Sequence, residues 1–223
     1  TSVSNLKNML VNAAILAITG YGMTIVIALR GIDLSVGSAQ ALVACSTALA
    51  VNAWGPLLGA LMGVAVAGML GAFNGLLVTS LRVPPFVATL STMSVFRGAV
   101  LILTGGAPII VTSTVFSHVS IGSVLGILTP FLIAVLLGAA TWFALNHMSY
   151  GKHVIAVGGS PESATDSGIR VQRVTLAAYV LAAIAAGLAG VLLASQLGVV
   201  NGSHGVGLEL EAIAIAGLGG TSL

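Results

Sequence analysis

Three acidic residues stand in or beside the apolar runs of this sequence: Asp33, Glu209 and Glu211. A formal charge at bilayer depth costs at least about 2.5–3.5 kcal/mol on insertion scales, so such residues are usually buried in protein, paired or functional. Asp33 lies in Gly31 to Ser38, G-I-D-L-S-V-G-S. Gly31 and Gly37 bracket it and allow backbone angles closed to other residues, while the Ser35 and Ser38 hydroxyls can satisfy backbone groups freed where a helix is interrupted. The stretch reads as a break between helices. Two roles for Asp33 stay open and are compatible: a cap on the following helix, or a group facing a solute path, since transporters build sites from broken helices.

Other chemistry is poorly provided for. The chain has no G-x-x-x-x-G-K-[ST] loop, so it is not expected to hydrolyse ATP itself, and it has no H-E-x-x-H pair or serine nucleophile elbow. His118, His147, His153 and His204 lack ligand spacing, and the single cysteine, Cys45, leaves no intrachain disulfide or multi-cysteine metal site. No metal, cofactor or catalytic residue is expected. The seven basic residues are scattered, which argues against nucleic acid as a partner.

The elements that must position these groups are membrane helices. With seven basic and five acidic residues in 223, 57% apolar content and a mean hydropathy of +1.14, the chain cannot make an ordinary water-soluble surface. Its long apolar runs predict an all-α polytopic membrane protein, a bundle with broken or re-entrant segments. Six crossings are expected: Met9 to Leu29, Val36 to Trp54, Pro56 to Leu81, Phe86 to Leu103, Ile127 to Asn146 and Val174 to Leu197. Thr104 to Gly126 reads as an external loop, partly re-entrant. The last run, Ala212 to Leu223, would reach only about 18 Å as a helix against about 30 Å of hydrocarbon, so the chain is expected to be truncated at both ends.

Within the third crossing Gly59, Gly63, Ala67, Gly71 and Gly75 recur every four residues. That ridge predicts close helix packing. Asn74 beside it could bond to a neighbour or line a path. Arg97 could snorkel to the interface, or pair with Asp33 or Glu209. If loops alternate, Arg30, Arg82, Lys152, Arg170 and Arg173 share one side and Lys7 the other, making the basic side cytoplasmic. Gly31-Ile32-Asp33-Leu34 and Gly207-Leu208-Glu209-Leu210 repeat one pattern, and suggest two inverted halves meeting near the path.

The most polar stretch, His147 to Arg173, reads as a cytoplasmic loop carrying one short helix. Ser160 can cap it, Pro161 suits its first turn, Glu162 its positive end, and Gly168 the exit. About seven helical residues are unstable alone, so this helix should pack on something, most simply another protein.

Three motifs in order carry a resemblance. G-I-D-L-S-V-G-S, the segment His153 to Ile169, and Gly205 to Ala214 with Gly219-Gly220-Thr221-Ser222-Leu223 together resemble the permease subunits of bacterial ABC importers for monosaccharides, the ribose, xylose, galactose and autoinducer-2 group. Arg30 stands where that family usually has glycine, Ser163 and Thr165 where alanines are commoner, and Glu211 where an aspartate is usual. The resemblance implies a single transmembrane permease domain over 1–223 in the bacterial inner membrane. It implies a coupling helix within 147–173 that docks in a groove of an ATP-binding subunit through Ser160, Pro161, Glu162, Ser163, Ala164, Thr165, Asp166, Ser167, Gly168 and Ile169. It implies a second permease subunit and an external sugar-binding protein as further partners. For a neutral sugar such as ribose, Asp33, Ser35, Ser38, Asn74, Glu209 and Glu211 are the expected pathway residues. An ion-coupled carrier of a small polar solute, using Asp33, Glu209 and Glu211, is the alternative.

Overall fold

The computed structural model describes residues 3–124 and 126–220. Its helices are α1 (Val3–Ala28), α2 (Val36–Trp54), α3 (Pro56–Thr79), α4 (Pro85–Thr104), α5 (Thr114–Ile121), α6 (Thr129–His147), α7 (Ser149–Gly159), α8 (Pro161–Asp166), α9 (Val171–Leu197) and α10 (Leu208–Leu218). Strands of two residues, β1 (Ile109–Ile110), β2 (Ser123–Val124), β3 (Ile127–Leu128) and β4 (Val199–Val200), form two antiparallel pairs, β1 with β4 and β2 with β3. Helices α1, α2, α3, α4, α6 and α9 are each long and apolar enough to cross a membrane. The protein is an all-α polytopic membrane protein.

The punctuation is chemical. Pro56, Pro85 and Pro130 open α3, α4 and α6, where a missing amide costs nothing and a fixed φ helps. Hydroxyls inside the spans bond back along their own helices: Thr19 to the Ile15 carbonyl, Thr24 to Gly20, Ser46 to Leu42, Thr79 to Gly75. This satisfies them without water.

At the centre stands α9, whose alanines and glycines let α1, α2 and α3 approach closely. The α3 ridge divides its length between two partners. Gly59 lies against Val51 and Gly63 against Thr47 of α2, while Gly71 lies against Tyr179 to Ala183 and Gly75 against Leu176 of α9. Each glycine costs a helix about 1 kcal/mol relative to alanine, offset here by dispersion contact along the seam.

Polar bonds fasten the ends. At one end of the bundle Asn52 donates to the Ile110 carbonyl and accepts from the Thr112 amide, pinning the β1 segment to α2. Ser195 of α9 donates to the Phe116 carbonyl and accepts from the Ser120 amide, holding α5. At the other end Tyr150 of α7 donates to the Val174 carbonyl, and burial pushes its phenol up to about 12, so it stays neutral.

Two segments differ from their expected form. Residues 147–173 are largely helical, because α7 precedes the short helix: Val154 and Val157 bury beside Ile25, Val174 and Ala178, and that packing overrides a glycine-rich sequence. The short helix itself ends at Asp166, with Gly168 (φ +81°) beyond it. The expected external loop, 104–126, holds β1, α5 and β2. Thr221, Ser222 and Leu223 of the third motif lie outside the described residues, as does Thr1.

Candidate functional site

The first break begins where α1 runs out. Leu29 and Arg30 close its last turn with bonds to the Val26 and Ile27 carbonyls, and Arg30 takes a left-handed backbone (φ +56°). One Asp33 carboxylate oxygen then accepts both the Ser35 amide at 2.8 Å and the Ser35 hydroxyl at 2.6 Å. This local loop leads the chain into α2. Ser38 donates to the Ser35 carbonyl at 2.9 Å, and Asn74 of α3 reaches across to donate to Ser35 Oγ at 2.7 Å. Thr89 of α4 donates to the Ile32 carbonyl at 3.1 Å.

Asp33, Ser35, Ser38, Asn74 and Thr89 are all 1% exposed or less. They therefore form a clamp between α2, α3 and α4, bonded to one another beneath the protein surface. Tyr179 of α9 completes the surround, its hydroxyl 3.0 Å from where a side chain on Gly31 would begin. Among the described residues, Asn74 Oδ1 and Tyr179 Oη are buried without a hydrogen-bond partner.

A second break precedes α10. Here Asn201 Oδ1 accepts the Ser203 amide at 2.9 Å and its hydroxyl at 2.6 Å, the same pattern that Asp33 makes with Ser35. Arg97 of α4 donates to the carbonyls of Gly202 and, at 2.7 Å, of His204. Arg97 therefore turns inward to hold this turn and does not snorkel; Glu209 adds a negative charge nearby. The real echo between the two breaks is Asp33-x-Ser35-x-Gly37 with Asn201-x-Ser203-x-Gly205. The Gly-aliphatic-acid-Leu repeat does not mark equivalent places, since Asp33 precedes α2 whereas Glu209 lies in the first turn of α10. The Asx-x-Ser-x-Gly spacing was the available signal.

Glu209 and Glu211, two apart on a helix, point to different sides. Glu209 lines a cleft with Met93, Ser94 and Arg97, and Glu211 one with Asn12, Gln40 and His204. Of the six expected pathway residues, four are thus joined in one clamp; Glu209 lies outside its hydrogen bonds but sets Oε2 against Gly37 of the same break, and Glu211 faces a separate cleft.

At the end of the bundle that carries α7 and α8, Ser160 Oγ accepts the Ser163 amide at 3.2 Å and caps α8. Ala164 is buried against the α7 and α9 cluster, whereas Pro161, Glu162, Ser163, Thr165, Asp166, Ser167 and Gly168 are exposed and Ser160 and Ile169 half-buried. The helix just before it, α7, touches the first break: a side chain on Gly158 would collide with the Ala28 carbonyl. No group of three or more metal-ligating side chains occurs among the described residues.

Residues 5–223 match the family model described as "Branched-chain amino acid transport system / permease component". The chain is 40% identical over 222 residues to the ribose import permease protein of Bacillus subtilis (strain 168), covering 98% of this chain and 69% of that one. It is 36% identical to the D-allose transport system permease protein of Escherichia coli (strain K12), over 99% of this chain and 68% of the relative. It is 37% identical to an autoinducer 2 import system permease protein of Yersinia pseudotuberculosis (serotype O:1b), over 95% and 61%. No solved structure matches the chain. A self-sufficient ion-coupled carrier does not fit a component of a transport system, and that alternative falls. The chain belongs to this family of transport-system permease components, and is a multi-pass protein of the inner membrane.

Proposed function

We propose that this chain is the membrane-spanning subunit of an ATP-driven importer for a monosaccharide of the ribose type. The observation that carries the reading is similarity, over 98% and 99% of this chain, to import permeases for ribose and allose. The chain lacks a nucleotide-binding loop, so ATP hydrolysis belongs to a separate subunit, and α8 with its flanking residues, Ser160 to Ile169, docks on that subunit through its exposed side chains, Ala164 facing the protein's own core. A second permease subunit and an external sugar-binding protein complete the assembly.

The proposed mechanism is a lever. Closure of the ATP-binding subunits displaces α8, α7 moves with it, and Gly158 transmits the motion to Ala28 at the end of α1. The Asp33 clamp then opens. Asn74 Oδ1 and Tyr179 Oη, buried without partners, become available to sugar hydroxyls together with Ser35 and Ser38, and Asp33 orients them. Leaving such atoms unpaired costs about 1–3 kcal/mol each, which favours the open state once a polar solute arrives. Glu209, with Oε2 against Gly37, would flank the outer approach to this break, and Glu211 a separate cleft beside it.

Vesicles containing the chain, its ATP-binding subunit and a loaded ribose-binding protein should accumulate labelled ribose only with ATP inside the compartment that faces α8. Uptake driven by a sodium or proton gradient without the ATP-binding subunit would overturn the proposal.

A further inference from the structure

Arg82, Arg170 and Arg173 come from distant parts of the sequence and rim one cleft on the inner side, with Gln172 and Thr165 on its polar wall. Arg82 follows the end of α3, and Arg170 and Arg173 flank the start of α9. All three are exposed. Among the described residues none of them makes an ion pair or a side-chain hydrogen bond. The acids of this side, Glu162 and Asp166, sit on α8 and do not line the cleft.

A guanidinium stays charged at every pH a membrane meets, and presents a fork of donors that matches phosphate. Three such groups on one cleft repel one another until an anion enters. Arg82 moreover has a left-handed backbone (φ +54°), a conformation that glycine takes freely and a residue with a β-carbon does not.

The position selects the anion. The cleft lies within one turn of the ends of α3 and α9, two helices long and apolar enough to cross a membrane, where the headgroups of a bilayer would meet basic side chains. Leu81, next to Arg82 in the chain, is 68% exposed, and Ile169 and Val171 add apolar lining to the cleft itself. Phosphate over arginine with hydrocarbon along Leu81 and the apolar lining describes a phospholipid, whereas free phosphate would leave the apolar side unused; Thr165 and Ile169 also belong to the proposed docking surface, so a protein occupant is an outcome of the test.

We propose that Arg82, Arg170 and Arg173 hold the phosphate of an anionic phospholipid of the cytoplasmic leaflet, between the ends of α3 and α9 and against α8. The site does not depend on which solute crosses.

The test is native mass spectrometry of the intact importer from vesicles of phosphatidylcholine with added phosphatidylglycerol. Wild type should retain phosphatidylglycerol selectively, and the combined variant Arg82→Gln, Arg170→Gln, Arg173→Gln should lose the selectivity. Juxtamembrane basic residues contribute about fivefold each to anionic-lipid affinity. If the triple variant does not assemble, the single variants are read, each with that drop, and a triple lysine variant should keep most of the retention. Equal phosphatidylglycerol retention by wild type and variants overturns the proposal. So does displacement of the lipid by inorganic phosphate, which would make this a free-anion site. Loss of the ATP-binding subunit with lipid retention unchanged would assign the arginines to the protein partner instead.

Discussion

Gly37 and Gly205 lie back to back, and a side chain on either would meet the carbonyl oxygen of the other. The two breaks of the fold therefore cross at a point with no room for a β-carbon on either glycine, and Glu209 Oε2 closes it on the Gly37 side. Gly37→Ala should push them apart and cost about 1–3 kcal/mol, the usual range for overpacking. Gly68→Ala, on α3 with open space around it, should be neutral or slightly stabilising. Thermal denaturation of both variants in the same detergent checks the contrast.

Asp33 works as an acceptor for two Ser35 donors. Asp33→Ala leaves both donors buried without a partner, and should destabilise by about 1–3 kcal/mol per orphaned group. Asp33→Asn keeps one acceptor oxygen and should recover most of the stability. Melting temperatures would order the three chains as wild type, asparagine, alanine; a tie between the two variants would show that the carboxylate's hydrogen bonds contribute little.

Arg97 holds two carbonyls of the turn before α10. A charged donor bonded to a neutral acceptor contributes about 1.5–3 kcal/mol, so Arg97→Gln should loosen that turn. Arg97→Lys offers a single point of charge in place of a fork and should fall between. Hydrogen exchange at Gly202 to Gly207, faster in the order lysine then glutamine, is the expected result.

Ser160→Ala should remove the cap of α8 and cost about 1 kcal/mol. Because α8 is short and its exposed face is the proposed docking surface, fraying should weaken association with the ATP-binding subunit. Its dissociation constant, measured by surface-immobilised binding, should rise about fivefold.

How far these relationships are legible in the sequence depends on their range. The crossings are readable because runs such as Met9 to Leu29 carry their own hydropathy, and the end of α2 because Gly55-Pro56 is a local stop. Ser160, Pro161 and Gly168 mark α8 for the same reason. Helix α7 is hidden, since Gly151, Gly158 and Gly159 argue against a helix until Val154 and Val157 find Ile25 and Ala178. Arg97 is hidden more deeply. Its acceptors lie 105 and 107 residues away, and hydropathy alone suggests the nearest interface as the destination of its charge. The clamp is half legible: G-I-D-L-S points to a break, but only the fold brings Asn74, Thr89 and Tyr179 around it.

The lever proposed from α8 to the Asp33 break would pass through Gly158, which lies against Ala28. The most direct test is the ratio of ATP hydrolysed to sugar imported by reconstituted assemblies carrying Gly158→Ala. Hydrolysis near the wild-type rate with uptake reduced about tenfold, a 1.4 kcal/mol effect on coupling, is the predicted result. Uptake and hydrolysis both unchanged, or falling in strict proportion, would contradict it.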